Sequence, residues 1–303
     1  MESLDAEFAR WLAASAGELL LSIRAEVGFA DPAALRSAGD LRSHSHIAAQ
    51  LSGWRPDDAV LSEEAEDSRA VDESAARLGA TRVWIVDPLD GTQEYGEDGR
   101  TDWAVHIALW TSEPLPVQSR RRRRTVHGTA TAGRLAASAI ALPAQGRVMS
   151  TDTPPGPPPE AQARGTRLRI ACSRTRPPAF LDEVAAELDA VLVPMGSAGA
   201  KIVAVITGEV DAYIHDGGQY EWDSAAPVAV AGAAGLHASR LDGTHLRYNQ
   251  ADPRLPDLLV CRPRLARTLV ETVASVRASS TEALTNGSSS RSDTGVSPIS
   301  HSG

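Results

Sequence analysis

Leu4, Phe8, Trp11, Leu12, Leu19, Leu20 and Ile23 recur at steps of three and four residues. That spacing predicts one apolar face on a first helix of roughly twenty residues. A second helix is expected after Asp40, with Ile47 and Leu51 turned inward. Short apolar runs at Ala59–Ser62 and Val83–Val86 predict strands, and Trp103, Val105, Ile107 and Leu109 alternate as a half-buried strand does. Leu135–Leu142 and Arg147–Ser150 suit a hairpin, so the first half reads as an antiparallel or mixed sheet with helices packed on it.

Five prolines between Pro154 and Pro159 cannot continue a helix or strand, and a subdomain boundary is expected there. Beyond it the pattern alternates. Strands are predicted at Leu168–Cys172, Val191–Pro194, Ala212–His215 and Gly235–Ser239, and a short strand pair closes the series. Helices are predicted at Pro178–Leu188, Ser197–Thr207 and Asp223–Ala234. This is the signature of an α/β layer. The expected organisation is an N-terminal α+β subdomain over residues 1–160, an α/β subdomain over 161–277, and a tail over 278–303. That tail is rich in Ser, Thr and Gly and poor in apolar residues, so it is expected to be disordered.

Composition narrows the class. A chain of 303 residues with 42% hydrophobic content can build a large core. Its net charge of −9 argues against general nucleic-acid or membrane-surface binding. Two cysteines, Cys172 and Cys261, are too few for a secreted disulfide framework and read as reduced core thiols. The acidic start, Met1 to Glu7, is unlike a secretory signal, and a soluble cytoplasmic enzyme is expected. Arg120 to Arg124 would attract phosphates without sequence preference, but no aromatic residue interleaves the run, which reads as a solvated loop.

The candidate chemistry begins at Trp84–Thr92, W-I-V-D-P-L-D-G-T. A strand there ends in two carboxylates, Asp87 and Asp90, with Pro88 restricting the turn and the Leu89 carbonyl available between them. Gly91 allows close approach of a ligand, Thr92 supplies a hydroxyl, and a helix starting there would turn its first N–H groups toward an anion. Further acids stand at Glu63-Glu64 and in Glu221-Trp222-Asp223. Alone, Glu63-Glu64 reads equally as a solvated pair and Asp223 as a helix N-cap. Together with the first motif they suit Mg²⁺, which takes scattered oxygen ligands and keeps several waters. His44 and His46 lack a third His or Cys partner and read as helix-surface histidines. Lys201, the chain's only lysine, follows Gly196-Ser197-Ala198-Gly199. These residues could open a helix whose free N–H groups bind phosphate, with the lysine as a point charge.

The ordered series S-E-E, W-I-V-D-P-L-D-G-T and E-W-D-S-A-A resembles the lithium-sensitive, metal-dependent phosphatases of the inositol monophosphatase superfamily. Gly196 to Lys201 and Arg247-Tyr248-Asn249 look like its 3′-phosphoadenosine 5′-phosphate phosphatase branch, especially the actinobacterial members. The resemblance spans about residues 4 to 277. It implies a layered αβαβα sandwich of the inositol monophosphatase and fructose-1,6-bisphosphatase type. It implies two to three Mg²⁺ ions on Glu63, Asp87, Leu89, Asp90 and Asp223, with Asp40 on a third, looser site. Glu63, Asp90 and Thr92 would be catalytic, Thr92 pairing with Glu63 to orient the attacking water. Gly91, Thr92, Gly196, Ser197, Lys201, Tyr248 and Asn249 would contact substrate, and Tyr213 reads equally as a contact or as packing.

Two departures stand out: a stretch around Leu115 to Arg134 looks like an insertion, and Asp40 to His46 replaces the usual Thr-x-Ala-Asp context of the third metal site. The implied activity is a phosphoric monoester hydrolase, a 3′(2′),5′-bisphosphate nucleotidase that acts on 3′-phosphoadenosine 5′-phosphate and its sulfated form in sulfur assimilation. An inositol-1-phosphate or fructose-1,6-bisphosphate phosphatase would use the same cage, and a catalytically silent metal and nucleotide sensor is the alternative of another class. The expected partners are a small phosphorylated nucleotide or sugar and a second copy of the chain in a homodimer, with no membrane and no specific nucleic acid.

Overall fold

The computed structural model describes residues 2–64, 76–112, 133–157 and 167–289. Helix α1 (Glu2–Val27) buries Leu12, Leu20 and Ile23 completely, each such side chain contributing about 1.5–3 kcal/mol. Helix α2 (Pro32–Trp54) begins earlier than expected. Asp31 caps it by accepting from the Ala33 and Ala34 amides at 3.1 and 3.0 Å, and Pro32 occupies the first turn, where a missing N–H costs nothing. Asp40 therefore lies inside α2 instead of preceding it.

The first sheet has the order β1-β2-β3-β4-β5, from β1 (Ala59–Ser62), β2 (Arg82–Asp90), β3 (Ala104–Ser112), β4 (Gly133–Leu142) and β5 (Arg147–Ser150). β1 pairs parallel with β2 and the other pairs are antiparallel. Trp103, Val105, Ile107 and Leu109 face α1 and α2, as their alternation predicts. The opposite face of β3 is buried as well, because its small Ala104 and Ala108 admit a second helical layer.

That layer is α5 (Ala198–Thr207) and α6 (Glu221–Ala233), preceded in the chain by the single-turn α3 (Thr92–Tyr95) and by α4 (Leu181–Glu187). Trp222, Ala225 and Ala226 of α6 pack on Leu61, Ile85 and Trp110, while Ile202 and Val203 of α5 join Tyr213 and Val260. The second sheet has the order β10-β12-β8-β6-β7, from β6 (Leu168–Ser173), β7 (Ala190–Met195), β8 (Ala212–His215), β10 (His237–Ser239) and β12 (Leu258–Cys261). β7, β6 and β8 run parallel, so their C-terminal ends open on one side. Short β9 (Gln219–Tyr220) and β11 (Arg254–Leu255) form a separate pair.

On the outer face of the second sheet, Leu181 and Val184 of α4 meet Leu269 and Val273 of α7 (Pro263–Ser289). Helices, sheet, helices, sheet, helices make the five layers expected. Helix α7 continues through Ala278 to Ser289, into the segment expected to be disordered; once its buried turns nucleate the helix, each further residue adds a bond at little cost. The arginine run at 120–124 lies outside the described residues. Cys172 and Cys261 are buried free thiols, as expected. No helix among the described residues is long and apolar enough to cross a membrane.

Candidate active site

Asp87 stands opposite His106 in the β2–β3 ladder, Asp90 stands opposite Ala104, and the register slips between them. Pro88 cannot donate to the ladder, so the strand bulges and throws both carboxylates to the face covered by α5 and α6. The bulge is pinned from behind. Ser43 of α2 donates to the Pro88 carbonyl at 2.7 Å, and Tyr95 of α3 reaches the Leu20 carbonyl at 2.9 Å. Gly39 makes room for that ring, since a Cβ there would lie 2.6 Å from Tyr95 Cε1.

Among the described residues, Asp87, Asp90 and Asp223 place carboxylate oxygens within 4.8 Å of one another. Asp223 arrives on the first turn of α6, where its Oδ2 accepts from the Tyr220 amide at 2.6 Å. It thus sits one turn inside the helix, with the other oxygen left for the cluster. Glu63, carried by the end of β1, completes the group through contact with Asp87 and the field of Asp223. Two like charges about 5 Å apart repel by about 3 kcal/mol at an effective dielectric of about 20, so these acids cannot all ionise without a cation.

The titration of the cluster reflects this. Asp87 is held well above the usual carboxylate range by burial, then by Glu63 and Asp90. Asp223 is pushed up to about 7 by burial and by Asp90. Glu63, although its residue is open to solvent, is pushed up to about 8 by desolvation of its carboxyl and by Asp223. Asp87 Oδ1 accepts from the Leu89 amide at 3.0 Å, whereas the buried Oδ2 has no hydrogen-bond partner. An all-oxygen set with a buried acceptor left over fits a hard divalent cation such as Mg²⁺.

Thr92 Oγ1 donates to the Leu89 carbonyl at 3.0 Å and lies 3.4 Å from Asp40 Oδ1. Its partner is therefore Asp40 and not the expected Glu63, because α3 folds Thr92 back over the bulge toward α2. Asp40 is pushed up to about 7 by burial and by the charge of Glu64. Asp40, Glu64 and Thr92 thus form an acidic flank beside the cluster.

The cluster opens into a cavity of about 280 Å³ whose wall includes Asp90, Gly91, Thr92, Asp223, Arg176 and His215. Gly91 has φ +83°, and a Cβ there would meet Ser197 and the Asp102 carbonyl at 3.0 and 3.1 Å. Gly196, Ser197 and Lys201 also line the cavity, but their polar groups are already engaged. The Gly196 amide donates to Asp102 at 2.6 Å. Ser197 Oγ, Ala198 N and Gly199 N donate to Asp90 at 2.5, 3.2 and 2.7 Å, so the α5 N-terminus expected to be free for phosphate instead holds this carboxylate. Lys201 Nζ donates to the carbonyls of Ser197, Gly196 and Met195 at 2.7, 3.1 and 3.5 Å, stapling the turn.

Tyr248 and Asn249 do not reach the cavity. The Tyr248 hydroxyl lies 3.2 Å from Ser224 Oγ, packed with Trp222. Asn249 takes a hydrogen bond from Arg77, and its own amide donates to Glu221 at 2.5 Å. Both are buried in the base of α6, where they hold the helix that carries Asp223.

Pattern reading missed Arg174, Arg176 and His215, which line the cavity beside the fully buried Tyr213. They sit just past β6 and at the end of β8, two parallel strands, and ligands bind beyond the carboxyl ends of such strands. That topological rule was the signal available. Arg174 is tied to Glu94 and Glu97 at 2.8 Å each. His215 is pushed down to about 4 by burial and by Lys201, against a backbone contact at Gly217 that raises it, so it is neutral at pH 7.

A profile of the inositol monophosphatase family matches residues 6–117 and 128–280, leaving out the arginine run and most of the tail. The chain is 51% identical over 279 residues to 3′-phosphoadenosine 5′-phosphate phosphatase of Mycobacterium leprae, covering 91% of this chain and 95% of that protein. It is 29% identical over 216 residues to the 3′(2′),5′-bisphosphate nucleotidase CysQ of Escherichia coli, covering 70% and 78%. The crystal structure of inositol monophosphatase II from Staphylococcus aureus superposes with a TM-score of 0.65 at 21% identity, over 88% of this chain and 91% of that one, a likeness of fold.

Proposed function

Since the chain belongs to the inositol monophosphatase family, we propose that it is a Mg²⁺-dependent phosphatase releasing the 3′-phosphate of 3′-phosphoadenosine 5′-phosphate, and of its sulfated form, in the cytoplasm. The observation that carries this is the convergence of the buried Asp87 with Asp90 and Asp223, the last two lining a cavity whose wall also holds Arg174, Arg176 and His215. Acids alone would repel an anionic substrate. Cations held by them, with an arginine-bearing wall, suit a ligand with two separated phosphate groups.

Glu63, Asp87, Asp90, Asp223 and the Leu89 carbonyl would hold two Mg²⁺ ions, with Asp40 on a third. When bound, these ions neutralise charge on the phosphoryl group and leaving oxygen and acidify water. With its proton directed at Leu89 O and Asp40, Thr92 Oγ1 keeps lone pairs that accept from, and so orient, the attacking water. In-line attack breaks the 3′ P–O bond, and water supplies the oxygen of orthophosphate and the proton of the ribose hydroxyl. The Gly91 and Thr92 amides would bind the transferred phosphoryl oxygens, while Arg176 and His215, on the same cavity wall, would meet the other end of the substrate. Retention of Glu63, Asp90 and Thr92 in one site supports turnover over a silent sensor.

A phosphate-release panel with Mg²⁺ tests the reading, with 3′-phosphoadenosine 5′-phosphate, inositol 1-phosphate and fructose 1,6-bisphosphate at equal concentration. The bisphosphate nucleotide is expected to give the highest kcat/KM. A sugar phosphate outpacing it would overturn the substrate assignment, and release independent of added Mg²⁺ after chelation would overturn the metal assignment.

A further inference from the structure

We infer that His106 is a positioning residue that anchors the start of α6, and with it Asp223, against Asp90, a carboxylate brought from the other half of the chain. This rests on the reading that those acids hold Mg²⁺. His106 lies on β3, fully buried, on the face shared with Ala104 and Ala108 and beside Ile140 of β4. Its cross-strand neighbours are Asp87 of β2, whose Oδ2 lies 3.9 Å from Nδ1, and Ile140 of β4, and an imidazole there loses its hydration unless its contacts replace it. The contacts are specific. Nδ1 lies 3.0 Å from the carbonyl of Trp222, the residue joined to Asp223. A carbonyl can only accept, so Nδ1 carries the proton there. Nε2 lies 3.3 Å from Asp90 Oδ2 without making a hydrogen bond, so on this side the ring braces the carboxylate by contact alone. One rigid ring therefore spans the start of α6 and the end of β2.

The first turn of α5 closes over the same ring. A Cβ at Gly199 would lie 2.1 Å from His106 Nε2 and 2.7 Å from Ile140 Cδ1. Gly199 thus leaves the space that the imidazole needs, and its amide donates to the same Asp90 oxygen at 2.7 Å. Three elements meet at Asp90 Oδ2: the Ser197 hydroxyl, the Gly199 amide and the His106 ring. Oδ1 has the longer contact, to Ala198 N at 3.2 Å. Groups behind a metal-binding carboxylate fix its orientation, and their loss weakens metal binding by about 10- to 100-fold.

The test is calorimetric titration of Mg²⁺ into the full-length protein and its variants, with thermal unfolding and steady-state kinetics alongside. His106→Leu fills the same space without polar ends and is expected to weaken Mg²⁺ by about 10- to 100-fold. Its KM for the nucleotide at saturating Mg²⁺ should stay that of the parent. His106→Asn, whose amide overlays Nδ1 and still reaches the Trp222 carbonyl, should recover part of the affinity. If the leucine variant melts lower yet binds Mg²⁺ as the parent does, His106 is core packing and the inference fails. Should leucine prevent folding, His106→Asn and His106→Gln each keep one polar end, and parental Mg²⁺ affinity in both overturns the role. A parent that takes up no Mg²⁺ would remove the metal reading itself, a different result from equal binding by parent and variants.

Discussion

The Ser197 hydroxyl donates to Asp90 Oδ2 at 2.5 Å while accepting from the Ala200 amide at 3.0 Å. One side chain thus caps α5 and fixes a carboxylate delivered by the first sheet. Ser197 holds φ +46°, an unfavourable value for a residue with a Cβ, and its contacts on both sides maintain that conformation. Ser197→Ala should therefore lose a cap worth about 1 kcal/mol and let Asp90 turn. The expected outcome is a slightly lower melting temperature and a half-activating Mg²⁺ concentration raised by about tenfold or more. A variant with parental Mg²⁺ dependence would show that the hydroxyl serves the helix alone.

Asp90→Asn and Glu63→Gln keep size and remove charge from the acid cluster. Turnover should fall by more than about a hundredfold, beyond the loss expected for an outer-sphere contact. Unfolding of the metal-free protein should change little or shift upward, because Asp90→Asn removes a charge from carboxylates lying within 4.8 Å and Glu63→Gln one that faces Asp223 and Asp90. Activity equal to the parent in either variant would end the assignment of these acids.

The layered fold and the acid cage were legible because each rests on local pattern. The alternation of Trp103 to Leu109 marks a strand face, and the D-P-L-D-G-T string encodes a bulge and turn within a few residues. What escaped was set by long-range placement. Nothing near Tyr248 and Asn249 reveals that Ser224 and Arg77 will claim them, or that the helix start at Ser197 will be filled by Asp90 from across the molecule. His106 was hidden for the opposite reason: it sits in an apolar alternation as if it were one more core side chain. The start of α2 was a missed local signal, since Asp31-Pro32 spells a cap and a first turn.

Stability of the metal-free protein should fall as pH rises. Asp87 is held well above its ordinary value by burial and Glu63, while Asp223 and Glu63 are pushed up to about 7 and about 8. Raised acids bind more protons folded than unfolded between their ordinary values near 4 and those raised values, so the slope of stability with pH is negative there. The contribution is complete below pH 4 and is lost through pH 8. Thermal unfolding in chelator should thus show a higher melting temperature at pH 5.5 than at pH 8. Saturating Mg²⁺ should reverse the order, because cations favour the ionised acids, with about 2.7 kcal/mol gained at a hundredfold excess over Kd. A flat profile in chelator would mean that the acids are not crowded.

Deleting residues 278–303 should leave the rate unaltered. The buried anchors of α7 are Leu269, Val273 and Val276, and Arg277 pairs at 2.7 Å with Asp216, just past the end of β8. All of these remain in the truncated chain. Loss of activity at parental melting temperature would assign the tail a part in the reaction.

Gly199→Ala is the sharpest steric probe of the site. Its added methyl would lie 2.1 Å from His106 Nε2, and the ring cannot retreat because its other nitrogen is held by the Trp222 carbonyl and its surroundings are filled. Either α5 lifts, withdrawing the Gly199 amide from Asp90, or the ring tilts and releases Trp222. Both routes disturb metal binding, and overpacking of this kind costs about 1–3 kcal/mol. The expected outcome is a melting temperature lowered by several degrees with weaker Mg²⁺ binding. Combining Gly199→Ala with His106→Ser, which removes the ring, should restore part of the stability but not the Mg²⁺ affinity, since contacts this close couple strongly. Additive losses in the double variant would show that methyl and ring do not meet.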